Sequence, residues 1–241
     1  MPPSTDALES HLIPQSDRSR DFFWHRLRWR AVRRYVPADR EIRLVDVGAG
    51  AGLLGEYLNA ERPRVEYRFV EPLASLEREL ERRFGTDANA REEERHRGAQ
   101  IVTLLDVLEH QEHDTAFLRE LAGKMDPGSR LLLTVPAMPS LWSYWDESLG
   151  HYKRYTRRSL KAAAAGLPFR TLELSYLFPE MVPPAVLRRR RRASGSGGDD
   201  TEFPDLPPRA NQLLYGVGTV TQSVRRALPL GTSLLAALER V

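Results

Sequence analysis

Leu44-Val-Asp-Val-Gly-Ala-Gly-Ala-Gly52 decides the fold: an apolar strand runs directly into glycines at 48, 50 and 52, and a helical stretch follows from Leu53. Glycine lets a backbone turn tightly and approach a ligand closely, and the amides that open the next helix point at whatever sits there. The spacing is G-x-G-x-G, not the G-x-G-x-x-G of dinucleotide sites, so the turn alone does not name its ligand.

Acidic residues follow at the ends of the next strands. Tyr67-Arg-Phe-Val-Glu71 delivers a carboxylate about twenty residues further on, the distance at which a ribose diol is held in nucleotide-binding sheets. Gly85-Thr-Asp87-Ala88 offers a second acid followed by a small residue, and Leu105-Asp106-Val-Leu-Glu109-His110 a third cluster. An open α/β sheet places its ligand at these carboxyl ends.

The pattern around the turn alternates short apolar runs with helical spacing, the order of βαβ units. Strands are expected at Ile42–Val47, Val65–Val70, near Phe84–Thr86, at Gln100–Leu105, Arg130–Val135, Pro168–Phe178 and Thr232–Leu238. Helices are expected at Leu53–Asn59, Leu73–Phe84, Asp114–Met125 with Asp114 as N-cap, and Thr156–Ala165. The expected fold is therefore a Rossmann-like, doubly wound, seven-stranded sheet. It is mostly parallel, and a helical insertion precedes the last strand.

A single domain accommodates the 241 residues: an N-terminal segment 1–40, a core 41–178, an insertion 179–229 and the last strand in 230–241. Within the insertion, 188–205 reads as a flexible linker around Ala193-Ser-Gly-Ser-Gly-Gly-Asp-Asp200. Leu213, Leu214, Val217, Val220, Val224, Ala227 and Leu228 then repeat at helical spacing, which predicts a helix docked by that face.

Composition removes several classes of function. With no cysteine there is no disulfide, thiolate zinc site, cysteine nucleophile or cysteine-ligated cluster. The mean hydropathy of −0.47 and the absence of a long apolar run predict no transmembrane segment, and no basic-then-apolar signal opens the chain, so a cytoplasmic protein is expected. Arg188 to Arg192 supply five positive charges against a formal net charge of +3, so the rest of the chain is net acidic.

Taken in this order and spacing, the glycine turn and its acids resemble the class I S-adenosylmethionine-dependent methyltransferases, from about Phe22 to Phe178. The resemblance implies that Gly48, Gly50 and Gly52 pass the methionine part of S-adenosyl-L-methionine and that Asp46 braces the turn. It also implies that Glu71 holds the ribose hydroxyls, that Asp87 meets the adenine amino group and that Ala88 gives its N–H to the ring. Asp106 completes the rim. S-adenosyl-L-homocysteine would be the product, and the resemblance also implies an antiparallel last strand and an N-terminal lid helix.

Two segments are similar to a bacterial subgroup that includes small-molecule and quinone O-methyltransferases. Phe22-Phe-Trp-His-Arg-Leu-Arg28 resembles H-F-W-F-R-x-R, a lid helix that would bring Trp24 and Arg28 to the cofactor. Here Phe22 replaces the histidine and His25 a phenylalanine, and an amphipathic helix packing Phe23 and Leu27 on the sheet explains the segment equally well. Leu141-Trp-Ser-Tyr-Trp-Asp-Glu-Ser-Leu-Gly150-His151-Tyr-Lys-Arg154-Tyr155-Thr156 resembles W-x-x-x-D-x-x-x-G-H-x-R-R-Y-T. Trp142, Tyr144 and Trp145 would wall an apolar acceptor pocket, and His151, Arg154 and Tyr155 would supply polar groups or tie the loop to the sheet.

Methyl transfer from a sulfonium needs alignment first, and a hydroxyl acceptor must also lose a proton. His151 is the first candidate for that base and His110 the second. Glu109, His110 and His151 form the alternative of a divalent-metal site, although a metal-free brace accounts for the same Glu-His pair.

The expected acceptor is a small molecule bearing a hydroxyl, of the secondary-metabolite or quinone kind. RNA or a lipid-linked acceptor, and a non-methylating cyclase or scaffold, are the alternatives. The arginine run fits a solvated linker end or peripheral contact with a membrane surface, and no interleaved aromatics mark it for nucleic acid. Nothing in the sequence sets the oligomeric state.

Overall fold

β1 (Ile42–Val47) lies inside a sheet whose strand order is β2-β1-β3-β4-β6-β5. In the computed structural model, which describes residues 20–90, 97–193 and 206–241, β1 pairs parallel with β2 (Val65–Val70) and β3 (Ile101–Leu105). β3 pairs parallel with β4 (Arg130–Pro136), and β6 (Ser233–Arg240) inserts antiparallel between β4 and β5 (Phe169–Leu177). The antiparallel last strand is the one the family resemblance implies.

The helices are α1 (Phe23–Val32), α2 (Leu53–Glu61), α3 (Ala74–Phe84) and α4 (Asp114–Lys124), then α5 (Tyr144–Ser148), α6 (Arg157–Ala163), α7 (Val182–Ala193) and α8 (Pro208–Ser223). No helix among the described residues is long and apolar enough to cross a membrane.

Helices on both faces explain why the central strands are apolar at consecutive positions rather than alternate ones. Successive side chains still point to opposite faces. Leu44, Leu132 and Leu235 join the core under α1 and α2, whereas Val45, Leu131, Leu133 and Leu234 join the core that includes Leu118 of α4 and Leu160 of α6.

Four expectations need correction. No strand forms at Phe84–Thr86, so the sheet among the described residues has six strands. Phe84 completes α3 because its ring continues the helix's packing face against Tyr67, centroid to centroid 5.0 Å. Gly85 then turns at φ 93°, Thr86–Ala88 forms a 3-10 turn, and a single bridge, Phe69 to Asn89, lies beside β2. Second, Arg188–Arg192 are helical in α7, so the linker does not begin at 188; residues 194–205 lie outside the described residues.

Third, α8 does not dock by the face its aliphatic spacing suggests. Leu213, Val217, Val220 and Val224 are exposed, while Leu214, Tyr215, Gly218 and Gln222 face α1. Amides make that joint: Gln222 Nε2 donates to the Leu27 carbonyl at 2.6 Å, and Asn211 accepts from Phe23 N–H at 2.8 Å. Gly218 permits the approach, since a Cβ there would stand 2.2 Å from Leu27 Cδ1. Asp114 also begins α4 rather than capping it, His113 being the cap residue.

A buried ion cluster ties the residues that follow α1 to β5 and to the chain leading into β6. Glu173 accepts hydrogen bonds from Tyr35 (2.5 Å), Ser175 (2.6 Å), Arg225 (2.7 Å) and Arg226 (2.8 Å). Burial opposes its ionisation, but the hydrogen bonds from Ser175, Tyr35 and Arg226 and the charge of Arg225 outweigh burial and hold its pKa at about 2. Glu173→Gln leaves Arg225, 2% exposed, as an uncompensated buried charge, and should cost about 3 kcal/mol in urea unfolding at pH 7. A carboxyl whose pKa falls on folding stabilises above its unfolded value. The gap between wild type and variant should therefore close as pH drops from about 4.5 to about 2.

Candidate functional site

The turn after β1 is left-handed at three glycines, with φ 71° at Gly48, 54° at Gly50 and 72° at Gly52. Gly48 N–H donates to the Val70 carbonyl at 2.7 Å, so the turn is fastened to the end of β2. A Cβ at Gly48 would lie 2.6 Å from Val107 Cγ2 and one at Gly52 would lie 2.5 Å from Leu80 Cδ2, whereas one at Gly50 meets nothing within 4 Å. Two glycines serve packing, and the middle one borders open space.

Asp46 is buried beneath this turn. Its carboxylate accepts from Thr103 Oγ1 at 2.6 Å and Tyr67 OH at 3.2 Å, and burial pushes its pKa up to about 6. These contacts make it a brace between β1, β2 and β3.

Glu71, at the end of β2, reaches across to the turn. Its two oxygens accept from Gly50 N–H at 2.7 Å and Leu73 N–H at 3.0 Å, while burial pulls its pKa upward. Asp106 at the end of β3 takes φ 59°, accepts from Thr134 Oγ1 at 2.9 Å and pairs with Arg28 of α1 at 2.8 Å. The lid helix thus meets the rim through Arg28. Trp24 instead stacks on Phe178, centroids 3.7 Å apart. Asp87 is exposed on its 3-10 turn, and Ala88 N–H bonds the Gly85 carbonyl at 3.1 Å.

The second half of the site is the loop after β4. It leaves the sheet through Met138 at φ 59° and returns at Tyr155, whose N–H bonds the Pro136 carbonyl at 2.8 Å. Tyr155 is fully buried; its hydroxyl donates to Asp114 at 2.9 Å and lies 3.3 Å from the Leu108 carbonyl. That makes it the loop's anchor.

Inside the loop, Ser143 and Asp146 form a capping box that starts α5 and buries the Asp146 carboxylate completely. Asp146 Oδ1 lies 3.0 Å from His151 Nδ1 and 2.7 Å from Arg154 Nε. Burial resists ionisation of Asp146, but the His151 and Arg154 contacts outweigh it and its pKa falls. Arg154 also reaches the Ala137 carbonyl at 3.2 Å, so it braces the loop.

His151 Nε2 stands 4.0 Å from Glu109 Oε1, and the His110 ring packs edge-on at 4.8 Å. Glu109 is 1% exposed, and burial followed by the charge of Asp106 drives its pKa well above the usual carboxyl range. Its Oε2 has no hydrogen-bond partner among the described residues. Ligand-capable atoms of Glu109, His110 and His151 all lie within 4.8 Å of one another.

The aromatic residues line the outer edge of this loop. Trp142 Nε1 donates to Glu147 at 3.1 Å, Tyr144 is 47% exposed, and the Arg188 guanidinium lies 5.1 Å over the Trp145 ring. Arg189 donates to the Ser140 carbonyl, so α7 fastens onto the loop.

The sequence reading missed two of these links. Asp146 was visible in the motif, five residues before His151, but its partnership depends on the helical turn between them. The contact between α7 and the loop had no local signal.

A mostly parallel sheet with a glycine turn at β1 and an acid closing on it from β2 is the arrangement in which open α/β folds seat a nucleotide. A methyltransferase-domain family model matches residues 18–174, and the chain belongs to that family. A search of curated proteins gave no match.

Among solved structures, a chain of the complex between the Haloferax volcanii Trm112 methyltransferase activator and a methyltransferase is 14% identical, with a TM-score of 0.62 over 98% of this chain and 96% of that one. The Haemonchus contortus phosphoethanolamine N-methyltransferase 2, bound to S-adenosyl-L-methionine, is 15% identical, with a TM-score of 0.54 over 90% of this chain and 52% of that one. A Planctomyces limnophilus O-methyltransferase family 2 protein complexed with apigenin is 14% identical, with a TM-score of 0.57 over 99% and 62%. This chain thus spans about half to two thirds of the latter two. At such identities the likeness is one of fold. The protein is an S-adenosylmethionine-dependent methyltransferase.

Gly48→Ala must place a methyl group at positive φ against Val107. It should cost about 2 kcal/mol in stability and weaken S-adenosyl-L-homocysteine binding in calorimetry. Gly50→Ala, with open space at its Cβ, should lower cofactor affinity with a smaller loss of stability.

Proposed function

We propose that this enzyme methylates a hydroxyl of a small, partly apolar acceptor, with His151 as the general base. The observation that carries this reading is the Asp146–His151 pair. An ionised, fully buried Asp146 accepts the Nδ1–H, which fixes the tautomer and leaves Nε2 as the basic nitrogen. The Glu71 carboxylate, which accepts from the Gly50 and Leu73 amides, would exchange them for two ribose hydroxyls. Asp87 is proposed to meet the adenine, and Trp24 and Arg28 to close the lid over the cofactor.

When bound, S-adenosyl-L-methionine supplies an electrophilic methyl group on a sulfonium. The chain's contribution is to hold the acceptor oxygen in line with that methyl and to take the hydroxyl proton at His151 Nε2. Trp142, Tyr144 and Trp145 would exclude water from the acceptor. Asp146 stabilises the imidazolium that results, and Arg154 keeps Asp146 ionised.

A divalent ion held by Glu109, His110 and His151 is the second reading, favoured by the unpartnered Glu109 Oε2. A tetrahedral site puts donors about 3.4 Å apart, so these atoms would have to draw in. The ion would orient an acceptor oxygen and lower its pKa. Calorimetric titration of Mg²⁺, Mn²⁺ and Zn²⁺ decides: saturable binding lost in Glu109→Gln supports it, and no binding dismisses it.

With a phenolic acceptor and labelled cofactor, His151→Ala should lower kcat about 10²- to 10⁴-fold while cofactor affinity stays unchanged. Asp146→Asn should follow it. Unaltered kcat in both removes His151 as base. Glu71→Ala should weaken S-adenosyl-L-homocysteine binding at least about tenfold, the cost of losing hydrogen bonds to a charged group.

A further inference from the structure

Of the ten large hydrophobic side chains left exposed among the described residues, five lie in the insertion, Leu187, Leu213, Val217, Val220 and Val224, and Leu230 follows directly after it. Four of them form one line along α8, where Leu213 and Val220 are 68% and 69% exposed. Arg209, exposed one turn before Leu213, extends the same line. Every position of this face is aliphatic, small or cationic, and α8 contains no acid.

Cations border the line. Arg26 lies 3.5 Å over the Tyr215 ring, and Arg226 beyond the helix is 75% exposed while it reaches Glu173. The turn that begins α7 abuts α8, with Thr221 donating to Glu180 at 2.9 Å, and α7 carries the five arginines. The insertion, residues 179–229, holds eight arginines against five acids, Glu180 and four within 194–205.

We propose that the outer face of α8, with the arginine-bearing α7, binds an anionic lipid bilayer. Leu213, Val217, Val220 and Val224 enter the interfacial region, Arg209 and Arg226 at the two ends of the line meet the headgroups, and the arginine run adds net positive charge. Apolar side chains flanked by cations are the two-part signal that a bilayer surface rewards, since each part alone binds weakly. A second copy of the chain fits poorly. Two α8 lines packed antiparallel would bring the Arg209 end of each toward the Arg226 end of the other, with no acid between them. A nucleic acid would gain nothing from four aliphatic side chains, and the line holds no aromatic ring on which bases could stack. The docking face is independent of which hydroxyl is methylated.

The test is co-sedimentation of the full chain with vesicles of phosphatidylcholine alone and of phosphatidylcholine mixed with phosphatidylglycerol. Binding is expected only to the mixed vesicles. The triple substitution Arg190→Gln, Arg191→Gln, Arg192→Gln should weaken it at least about tenfold at low salt and less at high salt. Val217→Asp with Val220→Asp should weaken it about tenfold or more at either salt. Melting temperature and S-adenosyl-L-homocysteine affinity, read on both variants, should match wild type and report that the fold is intact. Failure to bind the mixed vesicles, or equal binding to both kinds, overturns the proposal. So does a valine variant that binds vesicles like wild type, or one that only converts a dimer to a monomer in light scattering.

Discussion

The constraint on which this structure depends is the left-handed turn at the end of β1, which must be held open and fixed at once. Three residues there take positive φ, and two of the three glycines have neighbours that leave no room for a methyl group. Fixing comes from below through Asp46 and from the side through Val70 and Glu71. All three anchors belong to β1 and β2, so their parallel register places the acid of one strand against the turn of the other.

A second buried carboxylate, Asp146, does for the acceptor side what Asp46 does for the turn. It collects a histidine, an arginine and the start of a helix, which gives a loop with little hydrophobic burial of its own a single conformation. Tyr155 then fastens that loop to β4 and to Asp114. The chemistry proposed for His151 depends on this arrangement, because the hydrogen bond at Nδ1 sets the tautomer and orients Nε2 as the nitrogen that can accept a proton.

Much of this was legible in the chain, because glycine spacing, strand-end acids and apolar runs are local. Gly48, Gly50, Glu71 and Asp106 occupy the strand ends where the sequence put them. The parts that were not legible are tertiary. Phe84 closed an expected helix and opened an expected strand, and only the helix formed, since an aromatic ring suits either and the packing against Tyr67 decides. The aliphatic line of α8 suggested a buried face, yet a glycine and two amides dock that helix and leave the line outside. For Tyr155 the sequence left open a pocket group or a tie between loop and sheet; its hydroxyl bonds Asp114, while Arg154 bonds Asp146 and the Ala137 carbonyl of its own loop. Helical spacing shows which residues share a face but not which face is covered.

A crystal structure of the protein soaked with S-adenosyl-L-homocysteine tests the central claim most directly. The account predicts nucleoside density against the Gly48–Gly52 turn, with the Glu71 carboxylate moved from the Gly50 and Leu73 amides onto both ribose hydroxyls. Density elsewhere, or a bound nucleoside with Glu71 still on those amides, would contradict it.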